Sequence, residues 1–483
     1  IILNYNYSGK DFDYIMKKFN KDRYLRKLKF KRYWRNNSRY FYIGIPCLLC
    51  LVLGIYFAYS KFFVSSEEEV IRTTVGEFIY GDIIMTPYID GEYSSTFPEK
   101  KTGINVEKVV CDNGVTASWD EDKWGLYATN LSKRTKCSVY FVTPASCGIN
   151  DNVSCINSRE GLVTLANEVN NGDNKSGKII YLTSDLDLGG KFDSDGNALD
   201  GNISWTPIGT GDNPFSGTFD GNGHIINNMF VNRPNDSNNG LFGNGLNGKI
   251  KNVGIDMSFV IGGYTSGGIV GKNGNINNSF NLAKVISSGA AGGICGWQCD
   301  ISNVYNGGDV INKTNDCYGG ISGGYLNLQN GYNYGNVESN AGSTGGISGW
   351  YSSIYNSFNL GDVSGNTMDA GGILGQGVDG SANQNIIYNN YNKGKINGGG
   401  ILGVQYHVLD YSGFNLKLKN NYYLNTSANY GLSYYQSNQG AEPLSLDEIP
   451  SVISVINGDN AFVEDTNNIN NGYPILKWQA ERE

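Results

Sequence analysis

Trp297 and Trp350 each follow a Gly-Gly-Ile segment at the same offset, and Tyr351 adjoins the second. Large aromatics set at one repeating position on a rigid surface can stack on sugar rings or anchor a protein partner, because their faces are broad, apolar and stiff. Asp309 and Asp362 also share a position, each one residue before a Val. Glycoside hydrolysis needs two carboxylates flanking the scissile bond. Asn336 holds that position in the unit between them, so stacked units would separate the carboxylates by two rises, about 9.6 Å, the wide edge for an inverting pair. Lys284 and Lys395 fill the same row, as in an ordinary solvated turn. The two histidines, His224 and His407, have no His, Cys or carboxylate at ligand spacing, and neither His-Glu-x-x-His nor Gly-x-Ser-x-Gly occurs. No catalytic residue, metal or cofactor is expected, and His224 reads as part of an Asp-Gly-Asn-Gly-His turn.

Seven cysteines follow residue 100. Cys111 and Cys137 lie in strand-like segments and can pair across them, and Cys147 and Cys155 flank a short loop. In an exported chain such spacing reads as disulfides. Cys295 and Cys299 fall within one repeat unit, Cys317 is left over, and the odd count requires at least one free thiol. Cys-x3-Cys without a second pair or a nearby His is a poor zinc signal.

These residues are positioned by an internal repeat from about Ile226 to Tyr422. The unit is Gly-Gly-Ile-x-Gly, a gap, Ile-x-Asn-x-aromatic-Asn, and then Val or Ile five residues past the aromatic. Its first Asn recurs at Asn228, Asn252, Asn278, Asn303, Asn330, Asn356, Asn389 and Asn420, at spacings of 24, 26, 25, 27, 26, 33 and 31. An Ile or Leu stands two residues before each, and an aromatic two residues after each except at Gly254. A side-chain period of two places Ile, Asn and aromatic on one face of a strand. One strand cannot bury that face, whereas eight stacked in sequence can. Further rows run through Ile269, Ile294 and Ile321, and through Val285, Val310 and Val337. Three short strands per turn of this length predict a parallel β-helix. An inward Asn in every turn can bond its counterparts above and below, which makes the Asn row structural.

The stretches Gly267-Gly-Ile-Val-Gly271 and Asn278-Ser-Phe-Asn-Leu-Ala-Lys-Val285 resemble the GLUG repeat of bacterial surface proteins. Trp205-Thr-Pro-Ile-Gly, Phe215 to His224, Gly240-Leu-Phe-Gly and the closing Asn471-Gly-Tyr-Pro-Ile-Leu-Lys-Trp-Gln resemble the flanks of such repeats. The resemblance runs from about Ile156 to Gln479. It implies a secreted or wall-exposed, adhesin-like β-helix. Some relatives are joined to immunoglobulin A-specific metalloproteases, but the absence of His-Glu-x-x-His keeps that activity from carrying over.

Charge divides the chain. Residues 1–40 hold 12 Lys/Arg against 3 Asp/Glu, a net +9, while the remainder holds 25 against 42, a net −17. The acidic part lacks the clustered cations that nucleic-acid binding needs. Phe41 to Tyr59 is an uncharged run of 19 residues, long enough to span a bilayer, with the basic stretch before it holding the cytoplasmic side. A cleaved signal peptide would need a shorter basic region and an Ala-x-Ala site before Lys61. Ser158 to Val169 reads as a capped amphipathic helix that covers the first turn.

The expected fold is therefore all-β: a parallel, right-handed β-helix with end caps, preceded by one transmembrane helix and a small β domain. The boundaries are 1–40 basic cytoplasmic tail, 41–64 anchor, 65–147 spacer and small disulfide-bearing β domain, 148–440 capped β-helix, and 441–483 C-terminal cap. The expected role is cell-surface adhesion or ligand binding outside the cell, to a host glycan or surface protein. The Trp297, Trp350 and Tyr351 face is the binding candidate. Glycan cleavage and a passive spacer are the alternatives.

Overall fold

The computed structural model describes residues 78–482, apart from 81–82, 113, 122, 130–134, 313, 315, 341, 367, 379–385, 407–416, 434–435, 449–452, 455 and 458–459. The basic tail, the Phe41–Tyr59 run and His407 lie outside the described residues, as do most of the two insertions behind the longer repeat spacings. Among the described residues no helix is long and apolar enough to cross a membrane.

Because each repeat unit returns the same side chains to the same place, each turn pairs with the next in parallel register. The result is a β-solenoid of about nine turns. Ile250, Ile276, Ile301, Leu328, Ile354, Ile387 and Leu418 are successive partners. Val285, Val310, Val337 and Val363 form a second row. Ile269, Ile294, Ile321, Ile347 and Ile373 are wholly buried and joined turn to turn through backbone bonds. All three rows, Val363 apart, line one continuous core. The middle turns carry four short strands rather than three. The Gly-Gly pair splits one expected strand into two, as in Thr265–Gly267 and Val270–Lys272, with Ile269 at the corner between them.

The first Asn of the repeat does not share a face with its neighbours as the two-residue period predicted. Asn252, Asn278, Asn303, Asn330, Asn356, Asn389 and Asn420 all have φ between +47° and +61°, the left-handed region that Asn tolerates through its short polar side chain. A left-handed residue inside a strand breaks the alternation. The Ile before it therefore enters the core, while the aromatic after it turns outward into a separate cluster. Asn228 also stands outside the row. Its strand pairs Ile226 with Ile255, and Phe219 is the partner of Ile250. Asn228 Nδ2 donates to Asp187 instead, at 2.9 Å.

The inward amide row is formed by the second Asn of the repeat: Asn281, Asn306, Asn333, Asn359 and Asn392, all fully buried. Asn306 Nδ2 donates to Gly308 O at 2.7 Å and to Asn333 Oδ1 at 2.8 Å, and its own Oδ1 accepts from Asn281 at 2.9 Å. The second Gly of each Gly-Gly pair makes room for this row. A Cβ on Gly293 would stand 2.1 Å from the Asn306 side chain.

The helix Arg159–Asn170 begins where Ser158 Oγ accepts from Gly161 N at 3.2 Å, and Leu162, Leu165, Ala166 and Val169 join the solenoid core. Ahead of it, Thr135–Val142 pairs with Ile83–Ile89 in parallel and with Asn105–Cys111 in antiparallel, and Thr116–Asp120 and Gly125–Thr129 form a hairpin. Ile83–Ile89 lies within the expected 65–147 segment, and its Ile83, Ile84 and Met85 are buried. These strands lean on the solenoid, with Asn105 Nδ2 donating to Tyr181 and Asp220 and Tyr181 donating to Val142 O. Residues 79–94 and 100–483 cluster as one compact unit.

Ala441–Leu444 pairs with Lys417–Leu424. Of the expected C-terminal cap, 449–452, 455 and 458–459 lie outside the described residues, and Ile456 packs on the flank of the solenoid. Phe462–Val463 pairs with Ile475–Leu476, followed by the short helix Lys477–Ala480. These residues cover the outward aromatic row, where Phe280, Tyr305, Tyr332 and Phe358 stack at 4.9–5.1 Å. An exposed strip of stacked rings is a large apolar patch, and covering it is what holds the segment in place.

Candidate functional site

The aromatic corner forms where the Gly-Gly-Ile face turns outward. Trp297 and Trp350 occupy one row, with Gly324 between them. Two turns separate their backbones by about 9.6 Å, yet the ring centroids are 5.6 Å apart and 23° from parallel. Gly324 allows this, since a Cβ there would stand 2.7 Å from Trp297 Cζ3. Tyr325 meets both indoles edge-on at 5.0 and 5.2 Å, and Tyr351 packs on Tyr325 at 5.0 Å. Tyr325 and Tyr351 have φ of +52° and +39°, so the corner turns the chain and presents the rings together. Tyr325 is 42% exposed, and the tryptophans and Tyr351 are half-buried. Burial and the neighbouring Tyr325 push the Tyr351 hydroxyl above its ordinary pKa. A shallow groove of about 790 Å³ adjoins Tyr325 and Tyr351, with Asn273, Gln298, Asp300 and Asn327 among its walls.

A second concavity, of about 640 Å³, was not anticipated from the sequence. Its floor is the outward amide row at Asn252, Asn278, Asn303 and Asn330. Nδ2 of Asn278 donates to Asn252 at 3.4 Å and that of Asn330 to Asn303 at 3.1 Å. One wall is the hairpin carrying Trp119 and Trp124, and the other is the C-terminal segment at Trp478. Glu121 fastens the hairpin through Lys249 at 3.0 Å and Lys251 at 3.4 Å. Burial works to raise the Glu121 pKa, but the charges of Lys251 and Lys249 hold it below the ordinary value. On the other side Trp478 Nε1 donates to Asn303 O at 2.9 Å, and Tyr332 donates to Gln479 Oε1 at 2.8 Å. The signal in the sequence was the Asn row itself. Its outward direction depends on a backbone angle that residue types alone do not specify.

The paired carboxylates have structural partners. Asp309 Oδ1 accepts from Asn336 N at 2.9 Å, Asn336 Oδ1 accepts from Asp362 N at 3.1 Å, and Asp362 Oδ1 accepts from Lys395 N at 2.8 Å. The row ties each turn to the next. His224 Nδ1 lies 3.0 Å from Asp185 Oδ1. A backbone bond from Ile225, followed by the His224 contact, holds Asp185 below the usual carboxylate range. Disulfides join Cys111 to Cys137, Cys147 to Cys155 and Cys295 to Cys299, and Cys317 is the free cysteine among the described residues. Burial and nearby Asp316 push its thiol up to about 12. Among the described residues no three His, Cys, Asp or Glu side chains are grouped to hold a metal ion.

No protein-family model matches the sequence, and no curated protein matches it. Three solved chains are similar in structure. One is described as "a putative immunoglobulin A1 protease from Bacteroides ovatus", with 25% identity and a TM-score of 0.44, over 68% of this chain and 94% of that one.

Proposed function

We propose that the chain is a surface-displayed β-solenoid of the GLUG-repeat kind whose work is binding, in adhesion to a glycan or to a protein of a host or neighbouring cell. The observation that carries this reading is the corner at Trp297, Tyr325, Trp350 and Tyr351, where four rings gather beside a shallow groove. Rigid clustered aromatics offer contact area at little entropic cost. In this reading Phe41–Tyr59 is the membrane span, the basic residues before it stay in the cytoplasm, and everything after residue 64 is outside the cell. The accompanying finer architecture is a right-handed helix with covered ends and a small disulfide-bearing β domain beside it. Cleavage of a glycan is the weaker alternative, because Asp309 and Asp362 are engaged in joining successive turns.

The test is an immobilised array of glycans and matrix proteins, scored for both retained protein and surviving ligand. Retention on one ligand class, with that ligand intact and retention reduced in Trp350→Ala, is the expected result. Loss of an immobilised glycan would replace binding with cleavage, and failure to retain the protein on any class would leave a passive spacer.

A further inference from the structure

We propose that the groove over the outward amide row is a separate binding site for a linear, uncharged oligosaccharide laid along the solenoid axis. Its walls share Lys249, Asn275 and Asp300 with the groove beside the aromatic corner, but its floor at Asn278, Ser302 and Asn303 belongs to it alone, so the two sites can fail independently.

The floor carries the case. The amide row uses one N–H and one carbonyl lone pair of an Asn to join it to the neighbouring turns, and a side-chain amide has two N–H groups and two lone pairs. Asn278 and Asn303, half-buried in the middle of the floor, thus keep a donor and an acceptor side by side, which is what a sugar hydroxyl pair needs, while Asn252 and Asn330 at its ends are buried. Ser302 adds a hydroxyl on the same floor, accepting from Asn277. The rungs are spaced by the strand repeat, so from Asn252 to Asn330 the floor is about 14 Å long, room for about three to four pyranose units. A β-linked chain, which extends as a straight ribbon, fits such an evenly spaced floor.

The walls fit the same ligand. Trp119 and Trp124 on one side and Trp478 on the other border the cavity, and indole edges and faces suit the C–H surfaces of sugar rings. Five lysines and four carboxylates line it, and Glu121 already holds Lys249 and Lys251. That near balance provides no field to draw a polyanion, whose binding depends on a cluster of unopposed cations. A protein partner would be expected to meet an apolar centre, and this floor is polar.

The full chain is titrated by calorimetry with β-linked oligomers of glucose, mannose and N-acetylglucosamine of one to six units. Oligogalacturonate and a heparin fragment serve as charged comparators. One uncharged series should bind, with affinity rising up to about four units and flat beyond that length. Ser302→Trp fills the groove from its floor and should abolish binding. Asn303→Gly keeps the positive φ without strain and should weaken binding about tenfold by removing one rung. Met368→Ser, at an exposed position elsewhere, should change nothing. Far-UV circular dichroism and the melting temperature verify that each variant is folded. Binding that survives in Ser302→Trp, binding restricted to the charged comparators, or no binding to any probe overturns the proposal. Loss in Trp350→Ala with Ser302→Trp unaffected overturns the groove while leaving the surface-binding reading standing.

Discussion

Trp297 and Trp350 stack at 5.6 Å although a full turn of the solenoid lies between them, because that turn presents Gly324 at the point where the rings meet. The empty position is as much a part of the corner as the indoles. In Gly324→Ala the methyl would enter the Trp297 ring and the two indoles must part. Overpacking of this kind costs about 1–3 kcal/mol. The near-UV circular dichroism of the tryptophans should fall, and retention on the array with it, while the far-UV spectrum stays unchanged. An unaltered near-UV signal would mean that the stack does not depend on the gap.

The two amide rows differ in depth, and so should their mutational cost. Asn306→Ala leaves Gly308 O and an N–H of Asn281 buried without their partner. The expected loss is about 3–5 kcal/mol, since a buried polar group left unmet costs about 1–3 kcal/mol. Asn303 lies on the groove floor, and Asn303→Gly should cost about 1 kcal/mol. Urea melts of both variants check the order, and equal losses would remove the distinction between an inner and an outer row.

Trp478 links the C-terminal segment to the aromatic row, standing 5.9 Å from Tyr305 and donating to Asn303 O. Trp478→Ala should cost about 3 kcal/mol and loosen the segment, so that a hydrophobic dye binds along the flank. Hydrogen exchange should quicken over 462–482 before the core strands respond. Loss of the whole fold at once would show that the segment is integral to the solenoid.

Glu121 joins the hairpin to the solenoid, and its pKa is held below the ordinary value of 4.5. Its contribution to stability is therefore present above that ordinary value and is lost as the pH falls through the depressed one. The melting temperature of the wild type should drop over that acidic window. Glu121→Gln should be less stable near neutrality and show a shallower drop. Parallel pH profiles for the two proteins would remove Glu121 as the cause.

Cys317 carries a thiol pushed up to about 12 by burial and by Asp316, so little thiolate forms at pH 8. Iodoacetamide should label it slowly in the native protein and rapidly after denaturation, with the six disulfide-bonded cysteines silent in both. Fast native labelling at Cys317 would show that it is not shielded as described.

The sequence by itself determined the solenoid, because a repeating pattern stacks in only one economical register. Ile276, Ile301 and Ile354 are core partners where their spacing placed them. Ser158 caps its helix, and the disulfides follow the cysteine spacing. The tertiary structure decided the directions of side chains and the destination of the tail. Asn303 and Tyr305 were expected to face inward with Ile301. A φ of +54° at Asn303 reverses the alternation after it and sends Tyr305 out to the flank. Asn228 matches the repeat in type yet pairs elsewhere, because Phe219 takes the place beside Ile250. The groove follows from these two decisions. Its floor exists because the outer Asn row turns away from the core, and its walls because the hairpin and the C-terminal segment settle on either side of it. Periodicity sets which residues stack, whereas a single backbone angle and contacts between segments over a hundred residues apart set what they face.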